Sequence, residues 1–458
     1  MRKKLLSKVI AMLLIITMIL AGCGSSNQGS EKQEKATSTE TTSSDNETAK
    51  EQTVVTFQTW NPSDTGKDSA IYQIIAAFEK ENPDIKINYV FVESGSHFEQ
   101  LKVKLMGEEG PDIYGMSTGA YYKEFRDFEE DITSYCSNAW GEEWKSKFYD
   151  SCMDAIESDG KYYGLPLGIT YAGYAWADKN MLAGYGLDIP TSYNDLLADS
   201  KVLREQGQLP MSIGAKDSWL DVDTWMSMAN DVNSEKLYSA INGEIPFTDE
   251  DLVQSFTIWQ NCFTEGVFQD GAVGMSLYND VNDMFQKEGS IPMFINGSWA
   301  MNMYTLADTE THNVFNSEGA DHDIFLIDWN NDGKACPVTA ATDVVLCMNK
   351  NSKVKDAAFK FMDYLVNEGQ ELLVNKYLEY MPSRTDMTLN VEGLSEDGQE
   401  ALQVVLDNAS SNVAGARVIP YSDLNTKIGD ELQALAAGQT TPEKAAQEIE
   451  AVSKLVER

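Results

Sequence analysis

Between Thr53 and Met116 the hydrophobic period of the chain switches from two to about 3.6 and back, twice over, and few architectures accept such a segment. Val55, Phe57 and Thr59 alternate with Val54, Thr56 and Gln58, which predicts a strand. Ile71, Ile74, Ile75 and Phe78 then recur at i, i+3, i+4 and i+7, the spacing of a helix that buries one face. Asn82-Pro83-Asp84 ends it, and Ile85, Ile87, Tyr89 and Phe91 alternate as a second strand. Phe98, Leu101 and Leu105 mark a second helix, and Gly110-Pro111 leads into a third strand, Asp112 to Met116. Strands separated by helices pair in parallel through right-handed crossovers. In such open sheets ligands lie beyond the carboxyl ends of the strands, which here are Trp60-Asn61 and Ser117-Thr118.

The folded part begins near Thr53 and runs for roughly 400 residues, more than a single core accommodates, so two lobes are expected. Helix punctuation recurs along it. Thr191-Ser192 with Asp195 starts a helix that Gly207 ends, and Thr248 with Asp251 starts one that carries Leu252, Phe256, Trp259 and Phe263 up to Gly266. Thr441-Pro442-Glu443 opens the last helix, with proline at the first helical position. Strand-like runs return at Ile291 to Ile295 and Val344 to Met348.

The N-terminus carries an address. Arg2, Lys3, Lys4 and Lys8 precede an apolar run, Val9 to Leu20, that is too short to cross a bilayer and has the length of a signal-peptide core. Leu20-Ala21-Gly22-Cys23 resembles the bacterial lipobox, so residues 1–22 are expected to be a lipoprotein signal peptide and Cys23 the lipidated residue. Residues 23–52 then hold no large apolar side chain and are expected to form a disordered tether. As a flexible coil such a segment reaches roughly 30 Å. The expected location is the outer face of the cell membrane, held by lipid. The formal net charge of −37 argues against nucleic acid and against docking on an anionic membrane surface. Five further cysteines, Cys136, Cys152, Cys262, Cys336 and Cys347, include no C-x-x-C pair. They are expected to pack in the core with at most one or two disulfides, and no metal or cofactor is expected.

Several segments, in order, are similar to the family 1 extracellular solute-binding proteins of ABC importers, the maltose-binding-protein-like group. They include Ala76 to Ile87, Gly110-Pro111-Asp112-Ile113, Asp159 to Pro166, Leu182 to Leu197, Phe285 to Gly289 with Met293 to Ala300, Ala357 to Leu365, and Tyr380 to Arg384. The resemblance implies an α/β, two-lobe periplasmic-binding-protein-like fold, each lobe a mainly parallel sheet flanked by helices, joined by a hinge the chain crosses near Gly168, Ala340 and Gly393. Residues 53–167 plus 341–393 would form lobe 1, and residues 168–340 plus 394–458 lobe 2. It further implies a monomeric, non-enzymatic receptor that captures a mono- or oligosaccharide and passes it to ABC permease subunits.

The candidate ligand residues follow from chemistry and from that resemblance together. A sugar ring offers apolar C–H faces and a polar equator, which call for aromatic platforms with Asp, Asn, Glu or Arg at the edges. Trp60, Asn61, Tyr171, Trp219, Trp225, Trp299 and Asp343 have that chemistry, and Ser117 lies at a strand end. By the resemblance, Trp299 in Asn296-Gly297-Ser298-Trp299 is the stacking platform, Tyr171 a polar contact from the second lobe, Trp219 a further aromatic, and Tyr421 a weaker placement. Two other motifs compete. Gly115-Met116-Ser117-Thr118-Gly119 has the form of a hydrolase nucleophile elbow, but none of His97, His312 and His322 has a catalytic context. By the resemblance, these residues after Pro111-Asp112-Ile113 form a ligand-facing loop. Asp328-Trp329-Asn330-Asn331-Asp332-Gly333 opens like a calcium loop, yet Thr339 stands where a bidentate carboxylate is needed, and a turn is expected. His312 and Asp321-His322-Asp323 could ligate a metal but have no fixed spacing, and surface polar residues are expected. The alternatives carried forward are an extracellular lipoprotein glycosidase and a receptor for a non-sugar cargo.

Overall fold

The computed structural model describes residues 52–62, 69–286, 290–304 and 321–458. The signal peptide, Cys23, all of the tether before Gln52, and His312 lie outside the described residues. The first segment folds as its periodicity requires: β1 (Thr53–Thr59), α1 (Ala70–Glu81), β2 (Ile85–Phe91), α2 (Ser94–Met106) and β3 (Ile113–Met116). The helix α1 buries Ala70, Ile71, Ile74, Ile75 and Phe78, the stripe its spacing marks, each large side chain contributing about 1.5–3 kcal/mol. β1 pairs in parallel with β2 from Thr53↔Ile85 to Thr59↔Phe91 and with β3 at Phe57↔Ile113. Further along come β4 (Gly164–Pro166), β5 (Ile169–Ala172), β6 (Ala175–Asp178), α3 (Tyr193–Glu205), β7 (Met211–Ser212), α4 (Ser218–Ile241) and α5 (Glu250–Thr264). They are followed by β8 (Met293–Ile295), β9 (His322–Phe325), β10 (Val338–Thr342), β11 (Val345–Met348) and α6 (Lys355–Val366). The chain closes with α7 (Glu396–Ser411), β12 (Val413–Ala416), α8 (Ser422–Ala436) and α9 (Pro442–Ser453).

Two sheets anchor two separate cores. The first sheet runs β2-β1-β3-β11-β4 and the second β9-β6-β8-β7. Both are mixed rather than mainly parallel. In the first, β11 pairs antiparallel with both β3 and β4. In the second, β6 pairs antiparallel with β8 and β9, and only β8 and β7 are parallel. The reason is connectivity: β11 comes from a distant part of the chain, so no short crossover helix constrains its direction. The first core contains Leu167, Val344 and Tyr380, and the second contains Ile169, Val338 and Met381. The chain therefore changes core between 167 and 169 and between 338 and 344, and it straddles both over 377–381, where Tyr377 and Tyr380 pack in the first core and Leu378 and Met381 in the second. A third sheet, β12-β10-β5, adjoins two of these crossings, and in it Thr342↔Ile169 and Thr339↔Ala172 pair antiparallel.

Caps follow local chemistry. Ser192 Oγ accepts from the Asp195 amide at 3.2 Å and starts α3, and Thr441 Oγ1 accepts from the Lys444 amide ahead of α9. For α5 the cap is Asp249, not Thr248: its carboxylate accepts from the Asp251 amide at 3.0 Å, and a negative charge is the better match to a helix N-terminus. Cys136, Cys152, Cys262, Cys336 and Cys347 are all buried free thiols. The Asp328 carboxylate accepts from the amides of Asp332 (3.1 Å) and Gly333 (2.7 Å), so that segment is closed as a turn by its own backbone.

Candidate ligand-binding cleft

The strand order β2-β1-β3 creates a switch point, because the chain leaves β1 toward one side and returns for β3 on the other. Trp60-Asn61 and Ser117-Thr118 leave the sheet there. Gly115 permits a close approach of the two strand ends, since a Cβ on it would lie 2.3 Å from Thr59 Oγ1. The half-buried Trp60 packs against His97 and Phe98, with ring centroids at 4.9 and 5.1 Å. His97 donates from Nε2 to the Gly115 carbonyl at 2.9 Å, and burial lowers its pKa to about 4. Its imidazole is thus neutral and pinned to the strand end. Asn61 Oδ1 is a buried acceptor without a hydrogen-bond partner. Ser117 is half-buried, and its neighbour Thr118 donates from Oγ1 to the Thr342 carbonyl at the third sheet.

The second lobe contributes a tighter cluster. After β8 the chain turns through Asn296-Gly297-Ser298 and presents Trp299. The turn is held by the Tyr171 amide, which donates to Ser298 Oγ at 2.9 Å, and by Trp176 Nε1, which donates to the Gly297 carbonyl at 3.2 Å. A Cβ on Gly297 would lie 2.1 Å from Cζ3 of Trp299, so the indole folds back over this glycine as over no other residue. Trp299 meets Trp219, at the start of α4, with centroids 5.9 Å apart. Trp219 in turn stacks with Tyr278, which is 45% exposed, at 6.4 Å and 23°.

Arg417, just after β12, ties this cluster to the hinge. Its guanidinium lies 4.2 Å from the Trp299 ring centroid. Nε donates to Asp223 Oδ2 at 2.9 Å, and Nη2 stands 2.7 Å from the same oxygen. Nη1 donates to Thr170 Oγ1 at 2.8 Å and to Asp343 Oδ1 at 3.2 Å. Burial raises the Asp223 carboxyl above its ordinary range and Arg417 opposes that rise. Behind Trp299 lies a cavity of about 10 Å³ lined by Tyr174, Asp223, Asn296 and Trp299, among others, room for about one water molecule. Three of its lining groups, Tyr174 OH, Asn296 Nδ2 and Trp299 Nε1, are buried without a hydrogen-bond partner.

The structure thus brings together Trp219, Trp299, Tyr171 and Asp343, and places Trp60, Asn61 and Ser117 at the switch point of the first lobe. Tyr171 is buried in β5, and burial pushes its phenol up to about 12. One candidate falls elsewhere. Trp225 has no exposed surface; it stacks on Phe256 at 4.8 Å and donates from Nε1 to Ser255 Oγ at 2.9 Å, so it packs α4 against α5 and is not a ligand platform. Tyr421 directly precedes α8, and its ring is contacted by Lys123 at 5.2 Å and Arg458 at 5.3 Å. Arg417, Asp223 and Tyr278 were not legible beforehand. A lone arginine after a strand carries no local signal, and its partners lie far away in sequence. Among the described residues, no group of three or more His, Cys, Asp or Glu converges as a metal site, and no helix is long and apolar enough to cross a membrane.

Two α/β lobes, a connecting sheet that the chain traverses repeatedly, and aromatic residues at strand ends define a two-lobe binding-protein fold. The model of the bacterial extracellular solute-binding protein family matches residues 61–372, and the chain belongs to that family. An uncharacterized ABC transporter extracellular-binding protein of Pyrococcus horikoshii is 26% identical over 258 residues, which cover 55% of this chain and 55% of that protein. The chain thus matches about half the length of this relative. A structure described under xylan utilization by the thermophilic bacterium Caldanaerobius polysaccharolyticus shares the fold at a TM-score of 0.73 and 20% identity, covering 87% of this chain and 99% of that one. An ABC substrate-binding protein of Listeria monocytogenes in complex with cycloalternan does so at 0.68 and 20% identity, covering 88% and 98%.

Proposed function

We propose that this protein is the carbohydrate receptor of an ABC importer: it captures a mono- or oligosaccharide between its lobes outside the cell and delivers it unchanged to the permease. The observation that carries this reading is the aromatic set Trp299, Trp219 and Tyr278, edged by Asp343 and Arg417 and bordering the hinge sheet. Flat rings with carboxylate and amide groups at their rims match the apolar faces and hydroxyl equator of a pyranose. The cycloalternan complex of the Listeria protein supports the same cargo class. Lobe 1 is taken as residues 53–167 plus 341–393 and lobe 2 as residues 168–340 plus 394–458, with closure by hinge motion. Turnover is not part of the role. His97, the histidine beside the Gly115-to-Gly119 loop, is neutral and bonded to a carbonyl, which favours binding over hydrolysis there. The receptor acts as a monomer tethered by lipid on Cys23, with residues 23–52 as the leash. A thermal-shift screen against a carbohydrate panel tests the central reading: a ligand at 100 times its Kd stabilises the fold by about 2.7 kcal/mol. Stabilisation only by peptides, polyamines or phosphate esters would overturn it.

A further inference from the structure

We infer that the cleft selects uncharged sugars and rejects uronates, and that Arg417 acts as a positioning residue for Trp299 instead of receiving a ligand anion. The inference rests on the sugar-receptor reading and narrows it. A buried arginine beside an aromatic platform ordinarily invites an acidic ligand, because its fork matches a carboxylate with two parallel N–H groups. Here the fork is already committed. A guanidinium has five N–H donors. Nε and Nη2 face Asp223, and Nη1 serves both Thr170 and Asp343. At most one N–H remains, and it cannot make a bidentate pair. The flat face is committed too, lying 4.2 Å from the Trp299 ring centroid, and the side chain is only 11% exposed.

The surrounding charge points the same way. Arg417 is matched by two carboxylates, Asp223 and Asp343, so the cluster carries a net negative charge. Asp217, at the start of α4 beside Trp219, and Asp280, two residues beyond Tyr278, add further carboxylates, occupied by the Leu277 amide and by the Ser276 amide and hydroxyl. Of the nearby cations, Lys123 and Arg458 are engaged by the Tyr421 ring at 5.2 and 5.3 Å, and Lys216 is exposed. A ligand carboxylate would enter against like charge with no free fork to meet it, an arrangement that excludes partners at a part-buried site. What the rim offers is neutral: the stacked rings of Trp219 and Tyr278, the latter 45% exposed. Those faces suit the apolar C–H faces of an uncharged sugar ring.

Because Arg417 holds Thr170 of β5, Asp343 between β10 and β11, and Asp223 of α4 at once, it also fixes the indole relative to the hinge sheet. Removing its planar fork should loosen the platform while leaving the charge balance intact if lysine replaces it.

The test is calorimetric titration of the full chain with neutral trisaccharides of glucose, xylose, galactose and N-acetylglucosamine, and with trisaccharides of galacturonate and glucuronate. Indole fluorescence is followed in parallel. At least one neutral trisaccharide should bind, with both uronates weaker by on the order of 100-fold or more. Arg417→Lys keeps an ion pair for Asp223 and should fold. It should lower the neutral-sugar affinity by about tenfold, the scale of a lost cation–π and fork contact, and diminish the ligand-induced fluorescence change, without gaining uronate binding. Uronate binding as tight as the best neutral sugar would overturn the selectivity claim while leaving the sugar-receptor reading in place. Unchanged affinity and fluorescence response in Arg417→Lys would overturn the positioning role, whatever its melting temperature. Failure of every trisaccharide, neutral or acidic, would sink the sugar reading itself and this inference with it.

Discussion

Replacing Trp299 and Trp225 by alanine separates a ligand platform from a packing residue in one protein. Trp299 is only partly buried, and its removal deletes the Arg417 guanidinium contact at 4.2 Å and the Trp219 ring contact at 5.9 Å. Those contribute about 0.5–2 and about 0.5–1.5 kcal/mol, so Trp299→Ala should cost about 1–3.5 kcal/mol of stability. Its loss should also weaken binding. An aromatic anchor in a closed cleft commonly contributes about 2 kcal/mol or more, which is roughly a thirtyfold loss of affinity. Trp225 has the opposite balance. It is fully buried between α4 and α5, stacked on Phe256 and bonded to Ser255. Trp225→Ala should therefore cost about 3–5 kcal/mol of stability and leave affinity within about twofold in the folded fraction. Calorimetric titration and denaturant melts on both variants decide the matter. If Trp299→Ala binds sugar within about threefold of wild type, less than 1 kcal/mol, the platform assignment is wrong. If Trp225→Ala loses affinity without losing stability, the packing assignment is.

Three further outcomes are expected. Glu379 is buried, accepts from Asn302 Nδ2 at 3.2 Å, and has its pKa pushed up by burial from 4.5 to about 8. The folded state then holds a proton that the unfolded chain releases, so this residue's contribution to stability is present below about pH 4.5 and falls as pH rises toward 8, by up to about 1.4 kcal/mol per pH unit. Glu379→Gln should remove that slope and gain about 1–3 kcal/mol over wild type at pH 7; parallel stability profiles from pH 5 to 8 would refute it. Cys23→Ser should release the protein from the membrane fraction or leave the precursor uncleaved, and wild-type retention and processing would remove the lipid anchor from the account. A bound sugar should reduce the radius of gyration in small-angle scattering, and an unchanged profile at saturation would count against lobe closure.

The parts legible from the sequence are those whose cause is local. The alternation in β1 and β2 and the i, i+3, i+4, i+7 stripe of α1 reflect which face each side chain must turn inward, and the structure buries those faces. Caps such as Ser192 and Thr441 are readable for the same reason, because donor and acceptor lie three residues apart. The carboxyl ends of β1 and β3 were identifiable because parallel pairing through crossovers forces both to one edge of the sheet. The direction of β11 was not, since its partners β3 and β4 are far away in the chain and no short connection dictates its sense. Trp225 and Trp299 were indistinguishable as residue types. Only packing made the first a fully buried indole and left the second partly exposed, against the Arg417 guanidinium. Arg417 illustrates the limit most directly. It reaches Asp223 across 194 residues, Thr170 across 247 and Asp343 across 74. An ion-pair hub of this kind has no sequence signature, because its energy depends on burial and on distances that exist only after the lobes have folded and the hinge strands have paired.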